Sequence, residues 1–451
     1  MKNFLKRCFF GLVLGISLLC FSQSAWAFCG FYVSKADSKL YNQASQVIIA
    51  RNGQRTILTM ANDYQGEAKD FALVVPVPTI LKKEQVNIGD RQIIDRLDAF
   101  SAPRLVEYFD SNPCQVYPEA VFDGMTRNAA PSMTAGKGAR SNEALGVTIE
   151  EKFSVGEYDI LILSAKESNG LATWLNQNDY QIPQGATPVL EAYIKQGLKF
   201  FVAKVNLKEY SRQGFQALRP LMMAYESPKY MLPIRLGMAN AKGPQDLLIY
   251  LLSPQGTAEV TNYRTVKVPS DVEIPEFIKS EFGSFYKAMF KKSYQKAGRN
   301  VIFLEYAWNM ANCDPCSAEP LTPEELKKAG VFWLENGGNS RRSMPFNPNS
   351  NVFITRLHVR YTPDKFPEDL QFQSTANQNS FQGRYVLRHP YTGEMNCPAA
   401  RDYRQQVKKR QEQEAKTLAN LTGWGIDSIR KRMNLMAEES RPWWRSIWPN
   451  P

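Results

Sequence analysis

Short apolar runs rich in β-branched residues, broken by turn residues, constrain this chain more than any other feature. Val47, Ile48 and Ile49 precede Asn52-Gly53, and Ile57, Leu58 and Met60 follow it. Asparagine and glycine tolerate the left-handed backbone of a two-residue turn, so this is the strongest local hairpin signal in the chain. Phe71 to Val77 reads as a buried strand ending in Pro-Val-Pro, Val147 to Phe153 and Tyr158 to Leu163 as a second strand pair, and Val260 to Val268 as further strand. Helical signals fall between these runs. Asp90 caps a segment in which Ile93, Ile94 and Leu97 share one face, and Leu171, Trp174 and Leu175 mark a short helix. Thr187 caps a helix beginning at Pro188, with Leu190, Tyr193 and Ile194 buried and Gly197 ending it. A helix is expected from Pro275 to Lys296, and Thr322-Pro-Glu-Glu325 is a capping box for a helix ending near Gly330. Strand runs with helices gathered between them predict an α+β fold, a β-rich body of two or three lobes with a helical C-terminal tail.

Lys2, Lys6 and Arg7 precede an apolar run from Phe9 to Phe21 and then Ala25-Trp26-Ala27, the three parts of a secretory signal in order. Cleavage after Ala27 is expected, leaving 424 of the 451 residues and a charge of +8 from the full +11. No later stretch has 18 consecutive apolar residues, so the mature chain is expected to carry no transmembrane span and to be periplasmic or secreted. The organisation expected is 1–27 signal peptide, 28–123 N-terminal β-rich lobe, 124–146 flexible linker, 147–297 central α+β lobe, 298–400 Cys/His-containing lobe, and 401–451 basic, Trp-rich tail. The linker rests on a Gly, Ala, Ser and Asn composition without period. A weak echo links Thr56–Asn62 with Ile234–Asn240 and Asp70–Pro78 with Asp246–Pro254, which a duplicated lobe or chance would explain.

Cys29, Cys114, Cys313, Cys316 and Cys397 remain after the leader, enough for two bridges and one free thiol, with connectivity open. Cys313-Asp-Pro-Cys316 is the sharpest local motif. Its helix signal begins six residues too late to lower a thiol pKa, so a structural disulfide is expected, with redox catalysis as the rival. Zinc would need further ligands, and His358 and His389 lie 42 and 73 residues beyond Cys316, so no metal is expected. Val352 to Tyr361 alternates, placing Arg356, His358 and Arg360 on one face. That face is either an anion-binding row for carboxylate or phosphate or a ladder of ion pairs with acids such as Asp364, Glu368 and Asp369. Hydrolase, phosphate-loop and calcium-loop motifs are missing, no cofactor is expected, and Ser293-Tyr-Gln-Lys296 matches the Ser-x-x-Lys spacing of penicillin-binding enzymes without their companion motifs.

Cys29-Gly-Phe-Tyr32, the Asp70-Phe71 strand ending in Pro76-Val-Pro78, Ser101-Ala-Pro-Arg-Leu105, Cys313-Asp-Pro-Cys316, Thr355–Tyr361 and Gly383–Pro390 together resemble an exported bacterial family catalogued as domain of unknown function 2330. The blocks span roughly 28–400. The resemblance implies export and one coherent fold, and supplies no reaction or catalytic residue. It also implies a C-terminal membrane helix in some relatives. In that place a solvated, charged helix is expected from Arg401 to Lys416, and beyond it Arg441, Trp443, Trp444, Arg445 and Trp448 either contact an anionic membrane surface or fold back into a groove on the body. The expected function is a non-enzymatic binding or structural component of the cell envelope, with an envelope protein or anionic membrane as partner and no nucleic acid. The alternative is a periplasmic thiol-disulfide enzyme using Cys313 and Cys316.

Overall fold

The computed structural model describes residues 31–34, 41–65, 71–115, 147–177, 185–212, 218–240, 243–312, 314, 318–334 and 351–433. In chain order the first elements are β1 (Phe31–Ser34), β2 (Tyr41–Asn52), β3 (Arg55–Gln65), β4 (Phe71–Val77), β5 (Val86–Ile88), α1 (Arg91–Ser101) and β6 (Arg104–Phe109). Then follow β7 (Val147–Val155), β8 (Tyr158–Ala165), α2 (Ser168–Gln177), α3 (Ala186–Lys195), β9 (Lys199–Val205), α4 (Leu207–Arg212), β10 (Leu221–Glu226) and β11 (Met231–Leu232). Next come β12 (Gln245–Ser253), β13 (Ala258–Val260), β14 (Arg264–Lys267), β15 (Val272–Glu273), α5 (Phe282–Lys296), β16 (Val301–Asn309) and α6 (Pro323–Lys328). The last are β17 (Phe353–Tyr361), β18 (Leu370–Ser374), β19 (Phe381–Gln382), β20 (Arg384–His389), α7 (Ala399–Thr422) and α8 (Ile426–Arg432). The protein is α+β, as its patterning predicts.

A nine-stranded sheet, β14-β16-β17-β12-β2-β3-β10-β5 with β19 on β16, draws strands from each of the three expected lobes. It is covered on both faces. Val47 and Ile49 of β2 pack toward a five-stranded sheet, β1-β4-β9-β8-β7, through Leu73, Val75, Ile160 and Phe201. Ile48 and Ala50 pack the other way, against Ile93, Ile94 and Leu97 of α1 and Leu326 of α6. Double coverage is why Val47 to Ala50 is apolar without alternation. Helices α2 and α3 close the far face of the five-stranded sheet with Leu171, Leu175, Leu190 and Tyr193. A separate three-stranded sheet, β15-β20-β6, packs Tyr385 and Leu387 against Phe285 and Met289 of α5, Ala415 and Leu418 of α7 and Ile429 of α8. A disulfide between Cys114 and Cys397 ties the chain beyond β6 to the start of α7.

The β2–β3 hairpin turns at Gly53, whose φ of +60° is the left-handed conformation that glycine adopts without Cβ strain. Asp90 accepts from the Gln92 amide, and Thr322 with Glu325 forms both bonds of the capping box. Three expectations need correction, and one open alternative is decided. Helix α3 begins at Ala186 with Gly185 as its N-cap, so Thr187 already lies inside the helix. The 275–296 segment is a 3-10 turn over Glu276–Glu281 followed by α5, because Pro275 and the 3-10 bonds precede regular i→i+4 pairing. The sequence echo is not structural: Arg55–Gln65 is a strand whereas Leu236–Asn240 is a 3-10 turn, and β4 and β12 lie in different sheets. Helix α7 is not solvated all round, for Ala415 and Leu418 are fully buried and Glu414 is 4% exposed. Two apolar positions on one stripe, Ala415 and Leu418, suffice once α5 and α8 supply the opposing surface. The 124–146 linker, Cys313, Cys316, Arg441, Trp443, Trp444, Arg445 and Trp448 lie outside the described residues.

Candidate functional site

Strand β17 runs between β16 and β12 in the interior of the nine-stranded sheet, so its period of two sorts side chains between two buried faces. Leu357, Val359 and Tyr361 enter the core between the sheets, while Ile354, Arg356, His358 and Arg360 point to the helical side. Arg356 is 4% exposed and His358 9% exposed. Cross-strand register puts Tyr250 beside Arg356 and Asp246 beside Arg360 on β12. On the other flank the register slips between Leu304 and Tyr306, leaving Glu305 as the extra residue of a β-bulge. The bulge turns Glu305 toward the basic row, the re-aiming of a side chain that such irregularities provide. Helix α1 brings the last acid, Asp98, one turn beyond the buried Ile94.

These groups form one network. Arg356 donates from Nε to Glu305 Oε2 at 2.6 Å and from Nη1 to Asp98 Oδ1 at 2.8 Å. His358 meets Glu305 Oε1 through Nδ1 at 2.8 Å and Asp246 Oδ1 through Nε2 at 3.3 Å. Arg360 grips Asp246 with two bonds of 2.7 and 2.6 Å, a bidentate pair. Tyr250 donates to Asp98 at 2.8 Å, and the Tyr286 hydroxyl from α5 donates to Glu305. The Phe290 ring stacks on His358 at 3.9 Å and 15°, sealing the network from the α5 side.

The charges balance: three carboxylates face two guanidiniums and one imidazolium. Burial alone would push the Glu305 carboxyl up, but Arg356 and His358 overcome it and hold it at about 2. Burial would likewise lower His358, yet Glu305 and Asp246 raise it to about 9. Asp246 falls below its ordinary value for the matching reason, hydrogen bonds from His358 and Arg360 outweighing burial. Tyr286 is driven well above its usual range by burial and by Glu305, so it remains a phenol that donates.

Chemically, then, Arg356, His358 and Arg360 are brought together as the alternation predicts, but their partners are Asp98, Asp246 and Glu305 rather than Asp364, Glu368 and Asp369. Asp364 instead bonds Thr362 at 2.6 Å, and Asp369 accepts from Tyr193 at 2.6 Å across the molecule. Glu305 carried a signal that pattern reading passed over: an acid inside the apolar run Val301–Trp308 must be paired if that run is buried. His389 lies on another sheet, against Glu107 at 2.9 Å and under Phe109 at 4.5 Å, so the two histidines do not share a site. Ser293 bonds the Met289 sulfur at 3.5 Å in the last turns of α5. Among the described residues no group of His, Cys, Asp and Glu could hold a metal ion, and no helix is long and apolar enough to cross a membrane.

A family model described as an uncharacterized protein conserved in bacteria, domain of unknown function 2330, matches residues 23–373, and the chain belongs to that family. No curated protein and no solved structure matches it.

Proposed function

We propose that this member of the bacterial family acts in the cell envelope as a non-enzymatic binding or structural component, exported by the leader at 1–27. The observation that carries this proposal is the closed charge balance around β17. Every cation of the row is spent on a buried carboxylate, so this cluster of charged groups serves the fold instead of a substrate. The Cys114–Cys397 bridge supports a compartment outside the cytoplasm, where disulfides persist. Cell fractionation with intact-mass measurement tests the location, the expected result being a chain beginning at Phe28 in the periplasm or medium. Insulin-disulfide reduction tests the rival: no turnover is expected, whereas turnover abolished by Cys313→Ser would replace this proposal with a thiol-disulfide enzyme.

A further inference from the structure

Other elements carry cations without a carboxylate partner. Arg264 and Lys267 of the edge strand β14, with Lys292 and Lys296 near the C-terminus of α5, line a surface pocket of about 780 Å3, within the range of small-molecule sites. Among the described residues no carboxylate lines this pocket or pairs with any of the four. Their contacts are to neutral groups. Arg264 donates to the Ala297 carbonyl at 3.0 Å, Lys292 donates to the Ala419 carbonyl at 3.3 Å, and the Lys267 ammonium lies 4.8 Å from the centre of the Phe381 ring. Both carbonyls belong to helix C-termini, each carrying about half a negative charge, so the two ends offset about one of the four positive charges.

The rest of the lining is largely apolar: Val266, Pro269, Ala297, Phe303 and Leu421. Phe303 packs 4.9 Å from Phe290, the ring stacked on His358, which seats the pocket on the fixed interior of the sheet. A cationic rim over an apolar floor matches a ligand with one strongly anionic end and one short apolar end. We propose that this pocket binds an organic phosphate, its oxygens taking the N–H groups of Arg264, Lys267, Lys292 and Lys296 and its apolar portion lying on Phe303 and Leu421. A surplus of about three positive charges favours a phosphate, with its near-double charge and three acceptor oxygens, over a carboxylate. The proposal names a ligand class for the binding role proposed above and rests on it.

Calorimetric titration of the full chain with hexyl phosphate tests the site. Binding that weakens with salt is expected, falling roughly thirtyfold in the Lys267→Glu/Lys296→Glu double variant and unchanged in Lys152→Glu on the remote sheet. Vesicles of phosphatidylglycerol against phosphatidylcholine separate the sources. Selective vesicle binding lost in the double variant assigns the phosphate to a lipid headgroup, and hexyl phosphate binding without it assigns a soluble ester. No binding of either probe, hexanoate binding as tightly as hexyl phosphate, or undiminished binding by the double variant overturns the proposal. Circular dichroism checks that the variant folds, and Lys267→Gln/Lys296→Gln supplies the comparison if it does not. Fractionation and insulin reduction are read separately, so a failed titration sinks the pocket while leaving the non-enzymatic role standing.

Discussion

Glu305 is the residue on which the buried network turns, because among the described residues it alone bonds Arg356, His358 and Tyr286. Removing its charge leaves a guanidinium and an imidazolium buried side by side without their shared counterion. Glu305→Gln is therefore expected to lower unfolding stability by about 3–5 kcal/mol, measured by urea denaturation at neutral pH. The same network sets a pH dependence. His358 is raised to about 9, so its contribution is complete below about 6.5, the ordinary imidazole value, and is lost as pH climbs through 9. Glu305, held at about 2, acts in the opposite direction, contributing above about 4.5 and losing that contribution as pH falls toward 2. A melting-temperature profile should thus decline between pH 6.5 and 9 in the native chain, and His358→Phe should remove that decline while lowering the acid plateau. An identical alkaline limb in the variant would place its origin elsewhere.

At the scale of elements, α7 shows how a charged helix becomes core. Half of its length is Arg, Lys, Gln and Glu, yet Ala415 and Leu418 meet Tyr385, Phe285 and Ile429 beneath it. Leu418→Ala is expected to cost about 2–4 kcal/mol by leaving a cavity there, and Ile429→Ala a similar amount, both read from denaturant midpoints. Midpoints within about 0.5 kcal/mol of the native protein would mean the helices dock only loosely. Glu414 lies on the same buried stripe, where burial outweighs Arg410 and pushes its carboxyl to about 7. A raised carboxyl favours folding below about 4.5 and withdraws that contribution as pH rises through 7. Glu414→Gln should flatten the melting profile over that interval and leave the His358 limb untouched.

For the whole molecule, the organising fact is that the nine-stranded sheet gathers strands from distant parts of the chain, with β2 parallel to β12 some two hundred residues later. Such pairings depend on long loops closing, and the Cys114–Cys397 bridge closes another, between residues 283 positions apart. Constraining so long a loop in the unfolded chain is worth several kcal/mol, so Cys114→Ser is expected to lower stability by about 2–5 kcal/mol and to match the effect of reductant on the native protein. A reductant-insensitive native midpoint would show that the bridge adds nothing to the fold.

Local chemistry alone determined much of this protein. The Gly53 turn, the Asp90 and Thr322 caps, the apolar stripe of α1 and the alternation of β17 follow from steric and hydrogen-bonding preferences that act within a few residues, and all are legible in the chain. The α+β class follows from their order. What the tertiary structure alone decided is partnership. Asp98, Asp246 and Glu305 reach the basic row from three separate elements, one through a bulge that no local pattern announces. The amphipathic stripe of α7 counts as a core face only because α5 and α8 stand opposite it. The cationic pocket exists because β14 and the end of α5 converge with no carboxylate among the described residues that line it. Charge and hydrophobicity are properties of residues, but neutralisation and burial are properties of pairs, and pairs distant along the chain are set by packing.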